Sequence, residues 1–239
     1  MVVRKSANEA AAGDEQVSPA SELRSVACPK CAQLLETPVV TTLLPESAQL
    51  LELFAGTLNR PTCPHCETQF VIDETLVYRD AESAFIAYLV AMPEDGDTSA
   101  IEQEIDCMAT DISSSEGTER PTVRVAFSRS EFIEKIALHN GGYDDRLIEY
   151  TKLQVMKNLE SEEINHRQHR LLFDFSNEDP DIIAFIIFDR ENNQPVSRMH
   201  VQRDDYDALV EEFTGSSQLM LELDMLFPSC YVTCDRLIG

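Results

Sequence analysis

The sequence has few of the features that mark common enzyme and membrane-protein classes. It contains 8 glycines in 239 residues, which leaves little material for a glycine-rich loop around phosphate groups. It has no nucleophile elbow, dinucleotide-binding fingerprint or His-Glu-x-x-His pattern. No apolar run is long enough to cross a membrane, and residues 1–19 lack the apolar stretch of a secretory signal. These absences predict a cytoplasmic protein that does not enter a membrane.

Positive charge is also scarce. Lysine and arginine number 19 against 43 aspartates and glutamates, so the formal net charge at pH 7 is −24. Proteins bind nucleic acid largely through lysine and arginine side chains that replace counterions on the phosphates. The composition therefore argues against nucleic acid as a partner. It favours a protein partner with a basic surface, or an acidic surface that serves solubility.

One motif, Cys-Pro-x-Cys, occurs twice, at residues 28–31 and 63–66. Each Cys-x-x-Cys turn brings two sulfurs to one side of the backbone, and two such turns can complete a tetrahedral site for one metal ion. The proline restricts φ and so partly forms each turn before the metal arrives. We therefore predict one structural Zn²⁺ ion with four ligands: Cys28, Cys31, Cys63 and Cys66.

A thiol–disulfide pair at Cys63 and Cys66 is the alternative interpretation. Such a redox motif usually opens a helix after a buried strand. Here the preceding residues 58–62 are mostly polar and include a proline, and the residues after Cys66 alternate like a strand. The three other cysteines suggest no second metal site: Cys107 stands alone, and Cys230 and Cys234 lie in an apolar segment that predicts buried thiols.

The composition divides the chain into segments. Residues 1–25 have almost no large apolar side chain and are predicted to form a disordered tail. Residues 26–93 combine short strands, a helix at 45–54 and a final β-hairpin, as expected of a zinc-ribbon-like module. Residues 94–119 contain nine acidic residues and no basic one. An acidic linker or loop is therefore predicted over 94–120, although Ile101, Ile105 and Met108 have the spacing of a weak helix.

Residues 121–239 are predicted to form an α+β unit. A strand at 122–127 leads into a capping box at 128–131, where a helix begins, and 140–142 ends that helix. The next helix has apolar residues on two sides, which leaves room for a second copy of the chain as a partner. The continuously apolar segment 182–188 predicts a central strand. The whole chain is thus assigned to the α+β class, with a zinc-ribbon-like β module followed by an antiparallel sheet packed with helices.

Four charged residues lie at the start of that second helix: Asp144, Asp145, Arg146 and Glu149. The spacing of Asp145 and Glu149 places two carboxylates on one helix face, where they can perform acid–base chemistry or hold a cation. Acidic residues also suit the first turn of any helix, with Arg146 as their ion-pair partner. The hypotheses are an enzyme site, which requires a concave pocket at Asp145, or a surface that recognises a protein.

The whole pattern resembles the CpXC domain family of bacterial proteins over about residues 26–156. Besides the two motifs, the matching segments are 56–59, 78–80, 85–93, 134–136 and 142–149. The second motif is followed by Glu67, where the family often has glycine, and this difference is expected to strain the turn slightly. The resemblance implies zinc ligation by the four motif cysteines, and it implies no established activity.

Overall fold

The computed structural model of the chain describes residues 21–116, 120–159 and 164–238. The strands are β1 (Ser21–Ala27), β2 (Leu34–Val40), β3 (Thr42–Leu43), β4 (Leu76–Asp80), β5 (Phe85–Leu89), β6 (Thr122–Ala126), β7 (His169–Phe173), β8 (Ile182–Asp189) and β9 (Pro195–Gln202). The helices are α1 (Ala48–Phe54), α2 (Ser99–Glu116), α3 (Arg129–Asn140), α4 (Asp145–Leu159), α5 (Arg203–Thr214) and α6 (Ser217–Leu226), with a 3₁₀ turn at Cys234–Leu237. Helices and sheets both form, so the predicted α+β class is confirmed.

Strands β1 and β2 form a two-stranded antiparallel ribbon, with Ser21 opposite Val40 and Ala27 opposite Leu34. The predicted disordered tail is therefore wrong for residues 21–25, because β2 provides a partner with which they hydrogen-bond as strand. Residues 1–20 of that predicted tail lie outside the described residues.

The central sheet has the strand order β3-β4-β5-β6. Strands β4 and β5 pair antiparallel, which confirms the predicted hairpin. Strand β6, however, pairs parallel with β5, with Val123 opposite Ile86. Strand β6, the first strand of the predicted α+β part, therefore belongs to the same sheet as the hairpin that precedes it.

Helix α2 corrects the predicted acidic linker over 94–120, since most of this segment is helical. Ile105 and Ala109, four residues apart, are buried against Val123 and Val125 of β6. A parallel strand pair needs a crossover connection, and α2 provides the helical part of the one between β5 and β6. The acidic composition was a poor guide here because a few apolar residues on one face are enough to dock a helix.

The opposite face of the central sheet is covered by α1 and α3. Leu53, Phe132 and Ile136 of these helices share a core with Tyr78 and Phe85. The predicted capping box at the start of α3 is present, because Ser128 Oγ accepts a hydrogen bond from the Glu131 amide. The Glu131 carboxylate in turn accepts one from the Phe127 amide at 3.1 Å.

The remaining strands form an antiparallel sheet in the order β7-β8-β9, so β8 is the central strand, as its apolar sequence predicted. Leu147 and Ile148 of α4, Phe185 of β8 and Phe213 of α5 belong to one core, which holds this sheet against the helices. Among the described residues, no helix is both long and apolar enough to cross a membrane.

Candidate functional site

The two Cys-Pro-x-Cys segments adopt the same turn, which we call a knuckle. In the first, the Cys28 amide donates a hydrogen bond of 2.9 Å to the Gln33 carbonyl. In the second, the Cys63 amide donates one of 2.9 Å to the Thr68 carbonyl. In both knuckles this hydrogen bond joins residues five positions apart in the chain. The two pairs of sulfurs therefore have the same local setting.

A residue with left-handed backbone follows each motif: Ala32 with φ of 58° and Glu67 with φ of 57°. Their amides donate to the carbonyls of Cys28 and Cys63, at 2.9 Å in both knuckles. Side-chain-bearing residues adopt this conformation at a cost of roughly 1 kcal/mol relative to glycine. Glu67 therefore occupies a position that favours glycine, as the resemblance to the CpXC family led us to expect.

The sulfur atoms of the two knuckles face each other. The Sγ atoms of Cys28 and Cys66 lie 3.6 Å apart, and those of Cys31 and Cys63 also lie 3.6 Å apart. All four ligand atoms lie within 4.8 Å of one another. A zinc ion bound tetrahedrally at about 2.3 Å from each sulfur places the sulfurs roughly 3.8 Å apart. The four thiols therefore fit one such ion with little movement.

The thiols differ in acidity. The contacts of Cys66 with Thr68, through its side chain and its backbone, lower the pKa of Cys66 to about 6. The backbone hydrogen bond with Gln33 also lowers the pKa of Cys31, but burial and the neighbouring sulfurs outweigh it and raise that pKa to about 12. Cys66 is thus the first of these two to offer a thiolate, and a bound dication drives deprotonation of the other thiols.

A low thiol pKa is also a property of redox cysteines, so the pKa of Cys66 does not separate the zinc hypothesis from the redox hypothesis. The distances do favour one of them. Each 3.6 Å contact joins a cysteine of one knuckle to a cysteine of the other. This arrangement suits four ligands around a shared ion better than a disulfide between Cys63 and Cys66.

Asn59 fixes the second knuckle to the ribbon. The Val40 amide donates to Asn59 Oδ1 at 2.9 Å, and Asn59 Nδ2 donates to the Val40 carbonyl at 2.8 Å. The Asn59 carbonyl also accepts from the Ile72 amide at 2.9 Å. Its neighbour Leu58 is fully buried in the central core. The segment 56–59 that carries part of the family resemblance therefore positions the second knuckle and its two cysteines.

Asp145 and Glu149 belong to a second feature, a chain of ion pairs between six side chains whose charges alternate in sign. In order of contact its members are Arg124, Asp145, Lys135, Glu149, Lys152 and Glu134. Strand β6 contributes the first member, α3 contributes two and α4 contributes three. We call this set the buried ion chain.

The contacts within the buried ion chain are short. Arg124 binds Asp145 through two nitrogens, with Nε to Oδ2 and Nη2 to Oδ1 both at 2.8 Å. Lys135 Nζ lies 2.9 Å from Asp145 Oδ2 and 3.7 Å from Glu149 Oε1. Lys152 Nζ lies 2.7 Å from one oxygen of Glu149 and 2.7 Å from one oxygen of Glu134. The charges are therefore paired along its whole length.

These pairs shift the acidities of the carboxyl groups. Burial would raise the pKa of Asp145, but Lys135 and Arg124 outweigh it and hold that pKa well below its usual range. Glu149 follows the same pattern, since Lys152 and Lys135 outweigh burial and lower its pKa. A carboxylate that stays ionised and has its oxygens occupied is a poor general base near neutral pH. The geometry thus does not favour Asp145 and Glu149 as an acid–base pair.

The predicted recognition surface at 144–149 needs a correction, because Asp145 is 8% exposed and Glu149 is 2% exposed. The helix turns both carboxylates inward, where lysines on α3 and α4 neutralise them. Asp144 and Arg146 remain partly exposed and pair with each other at 2.7 Å, which confirms the predicted role of Arg146.

A cavity of about 290 Å³ opens beside the exposed end of the buried ion chain. Asp145 lies on its wall together with Arg124 and Lys135, whereas Glu149 lies deeper and outside its lining. The enzyme hypothesis required a concave pocket around Asp145 and Glu149, and the cavity meets this requirement for Asp145 only. Neither Arg124 nor Lys135 was predicted as part of a site. The alternation with Val123 and Val125 places Arg124 on the other face of the strand, where a charged residue predicts exposure to water, so no signal in the sequence indicated its role here.

Ser83, His139 and Asp80 meet at the rim of this cavity and have the residue types of a hydrolytic triad. Their geometry differs from that of a triad, because Ser83 Oγ and Asp80 Oδ2 contact the same ring nitrogen of His139, Nε2, at 2.9 Å and 3.1 Å. The Ser83 hydroxyl also donates to Asp80 at 2.5 Å. In a triad the carboxylate holds the other ring nitrogen. These residues therefore link the β4–β5 turn to the end of α3.

Fold and site together define an α+β protein with a four-cysteine candidate metal centre beside its N-terminal strands. Residues 26–152, just over half of the chain, match the family described as CpXC protein, and the chain belongs to that family. The match covers all four motif cysteines and all six members of the buried ion chain. No curated protein and no solved structure matches the chain.

Proposed function

We propose that the four motif cysteines bind one Zn²⁺ ion and that this ion is structural. The observation that carries the proposal is the convergence of four sulfurs from two identical turns within 4.8 Å. Four thiolate ligands fill a tetrahedral ion and leave no position for water or substrate, so the ion would supply folding free energy rather than catalysis. We place the protein in the cytoplasm, where reducing conditions keep thiols available for metal.

Metal analysis tests this proposal. Elemental mass spectrometry of protein purified under reducing conditions is expected to find about one zinc per chain, and none in the Cys63→Ser/Cys66→Ser variant. The control is Cys107→Ser, which changes an exposed cysteine outside the cluster and should keep its zinc. Wild-type protein without metal, but with a reversible disulfide between Cys63 and Cys66, would replace the zinc proposal with the redox alternative.

The proposal extends to the role of the zinc-stabilised module, which we infer to be binding of another protein. Residues directly opposite each other in an antiparallel pair share one face of the sheet. The outward face of the β1–β2 ribbon therefore combines Leu23 with Pro38 and Ala27 with Leu34. Leu23 is 69% exposed and Leu34 is 66% exposed. Exposed apolar side chains on a metal-anchored ribbon support a protein contact, and the net charge of −24 favours a partner with basic residues.

Site-specific photo-crosslinking in cells tests the inferred contact. A photoreactive amino acid at position 34 is expected to form a discrete adduct with a protein partner or with a second copy of the chain. The matched control is position 51, because Leu51 is equally exposed at 69% but lies on α1 rather than on the ribbon. Adducts that are absent at position 34, or the same at both positions, would count against the ribbon as a binding surface.

A further inference from the structure

The cavity beside Asp145 supports a proposal that is independent of the zinc site. It lies where β5 and β6 begin, between the end of α3 and the start of α4. Its volume of about 290 Å³ is close to the lower end of the range for small-molecule sites. We propose that this cavity binds a small organic molecule that carries a carboxylate or phosphate group.

The cavity lining itself is positively charged. It has three permanent cations, Arg124, Lys135 and Arg146, and two carboxylates, Asp144 and Asp145, which gives the lining a formal charge of +1. Two carboxylates outside the lining also pair with its cations: Asp224 with Arg146 at 2.6 Å and Glu149 with Lys135 at 3.7 Å. The chain as a whole has a formal charge of −24. A positive lining in so acidic a protein would attract an anion locally, since a concave, partly buried site concentrates the field of its charged groups.

The carboxylates of the lining are already occupied by hydrogen-bond donors of the protein. Both oxygens of Asp145 accept hydrogen bonds from Arg124, and one also accepts from Lys135. Both oxygens of Asp144 accept from the Arg146 guanidinium, at 3.1 Å and 2.7 Å. These acceptors have little capacity left for a cation or a hydrogen-bond donor from a ligand.

Donors, in contrast, remain available. A guanidinium has five N–H donors and an ammonium has three. Arg124 directs three of its five to Asp145 and to the Val123 carbonyl, which leaves two. Lys135 makes one hydrogen bond, of 2.9 Å, to Asp145. The Thr122 hydroxyl, also in the lining, has no hydrogen-bond partner among the described residues. A ligand oxyanion would accept hydrogen bonds from these unused donors.

Two cations of the lining are held rigidly. The Lys135 side chain is 3% exposed and the Arg124 side chain is 14% exposed, so both cations are held in place by the buried ion chain. Buried ion pairs contribute little net stability compared with apolar packing. Fixed cations do, however, pre-organise a binding site, because no side-chain freedom is lost when the ligand arrives. Binding of an anion would thus give a function to the buried ion chain, which contributes little net stability.

The cavity also has an aromatic wall, which selects an organic ligand over a bare ion. The rings of Phe85 and His139 stack with centroids 3.9 Å apart and planes 5° from parallel, and Tyr143 lines the same space. Because the cation donors are deep in a concavity, the flat surface of a macromolecule would not reach them. A small molecule with a planar body and one oxyanion matches both parts of the lining.

The test is a titration of the full chain at neutral pH, followed by ¹H–¹⁵N NMR. The probes are phenyl phosphate, benzoate and inorganic phosphate, which separate the phosphate source from the carboxylate source and the organic body from the bare anion. We expect saturable shifts from phenyl phosphate or benzoate, centred on the amides of Thr122, Arg124 and 144–146. We expect weaker binding of inorganic phosphate, which lacks the ring.

Variants locate the binding site. Arg146→Gln is expected to weaken binding about tenfold or more, because a hydrogen bond to a charged group contributes about that factor. The control is Arg190→Gln, because Arg190 forms a similar partly exposed pair with Asp235 elsewhere and its loss should leave affinity unchanged. Thr122→Val changes an exposed side chain at the cavity and should weaken binding without affecting folding.

Three results would overturn the proposal. The first is the absence of saturable shifts with all three probes. The second is shifts that saturate but lie away from the cavity. The third is binding that Arg146→Gln and Thr122→Val leave unchanged, or that Arg190→Gln weakens equally. None of these results bears on the zinc proposal, whose readout is metal content.

Discussion

Replacing Asp145 with asparagine is expected to lower the free energy of unfolding by about 3–5 kcal/mol, because it leaves Arg124 without its carboxylate partner and leaves Lys135 with only its longer contact to Glu149, at 3.7 Å. Asp145 is the one contact between Arg124 and Lys135 in the buried ion chain as the structure describes it, with hydrogen bonds of 2.8 Å and 2.9 Å. Urea denaturation followed by circular dichroism measures the change.

Asp144→Asn is the matched control for this prediction. Asp144 is the neighbouring residue and also pairs with an arginine, but its side chain is 31% exposed. Exposed pairs contribute about 0–1 kcal/mol, so its loss should cost far less. If both variants lowered the free energy of unfolding by the same amount, burial would not be what makes the ion chain important for stability.

The effect of Asp145→Asn should also depend on pH in a defined direction. Asp145 has a lowered pKa in the folded protein, so its ionised form stabilises the fold above the usual carboxyl pKa of about 4. That contribution is lost as the pH falls through the lowered folded-state pKa, because the unfolded chain binds the proton first. The difference in stability between wild type and Asp145→Asn should therefore be constant near neutrality and shrink in acid below about pH 4.

Removal of the metal is expected to have the second large effect, and a local one. Structural zinc sites contribute on the order of 10 kcal/mol to the folding of small domains. After treatment with a chelator, hydrogen exchange should lose protection in β1, β2 and the second knuckle at 58–72. Protection should persist in the β7-β8-β9 sheet, which has its own core with α4 and α5.

The Cys63→Ser/Cys66→Ser variant is the control for chelation. It should show the same exchange pattern with or without chelator, because it has no complete site to empty. A uniform loss of protection over the whole chain would mean that the zinc-stabilised part and the C-terminal sheet unfold as one unit. Unchanged protection in wild type would mean that the four cysteines do not need a metal to keep their arrangement.

The four-cysteine cluster could be predicted from the sequence because its geometry is mostly local. The two cysteines of each motif lie within one four-residue turn, and proline fixes part of that turn. The start of α3 could be predicted for the same reason, since Ser128 and Glu131 meet within a single helical turn. The β4–β5 hairpin also follows from neighbouring segments, and the structure confirms the hairpin, the capped helix and the clustering of the four cysteines.

The position of β6 could not be predicted in this way. Its apolar alternation determines that Val123 and Val125 share a face, but not which strand it joins. The parallel pairing with β5 depends on the crossover through α2, and the stability of α2 comes from burying Ile105 and Ala109 against β6. Strand and helix stabilise each other, so where each one docks is not evident from its own segment.

The sequence by itself determined the four-cysteine cluster, the α+β class, the hairpin and the capped helix, because each follows from residues close together in the chain. Tertiary structure alone decided which of the charged residues at 144–149 are buried and which are exposed. Their spacing allowed a solvated surface as well as an active site, and only the folding of β6 and α3 against α4 brought Arg124 and Lys135 to Asp145. The reason is physical: a helix defines which residues share a face, whereas the elements packed against that face decide whether it meets water or other charges.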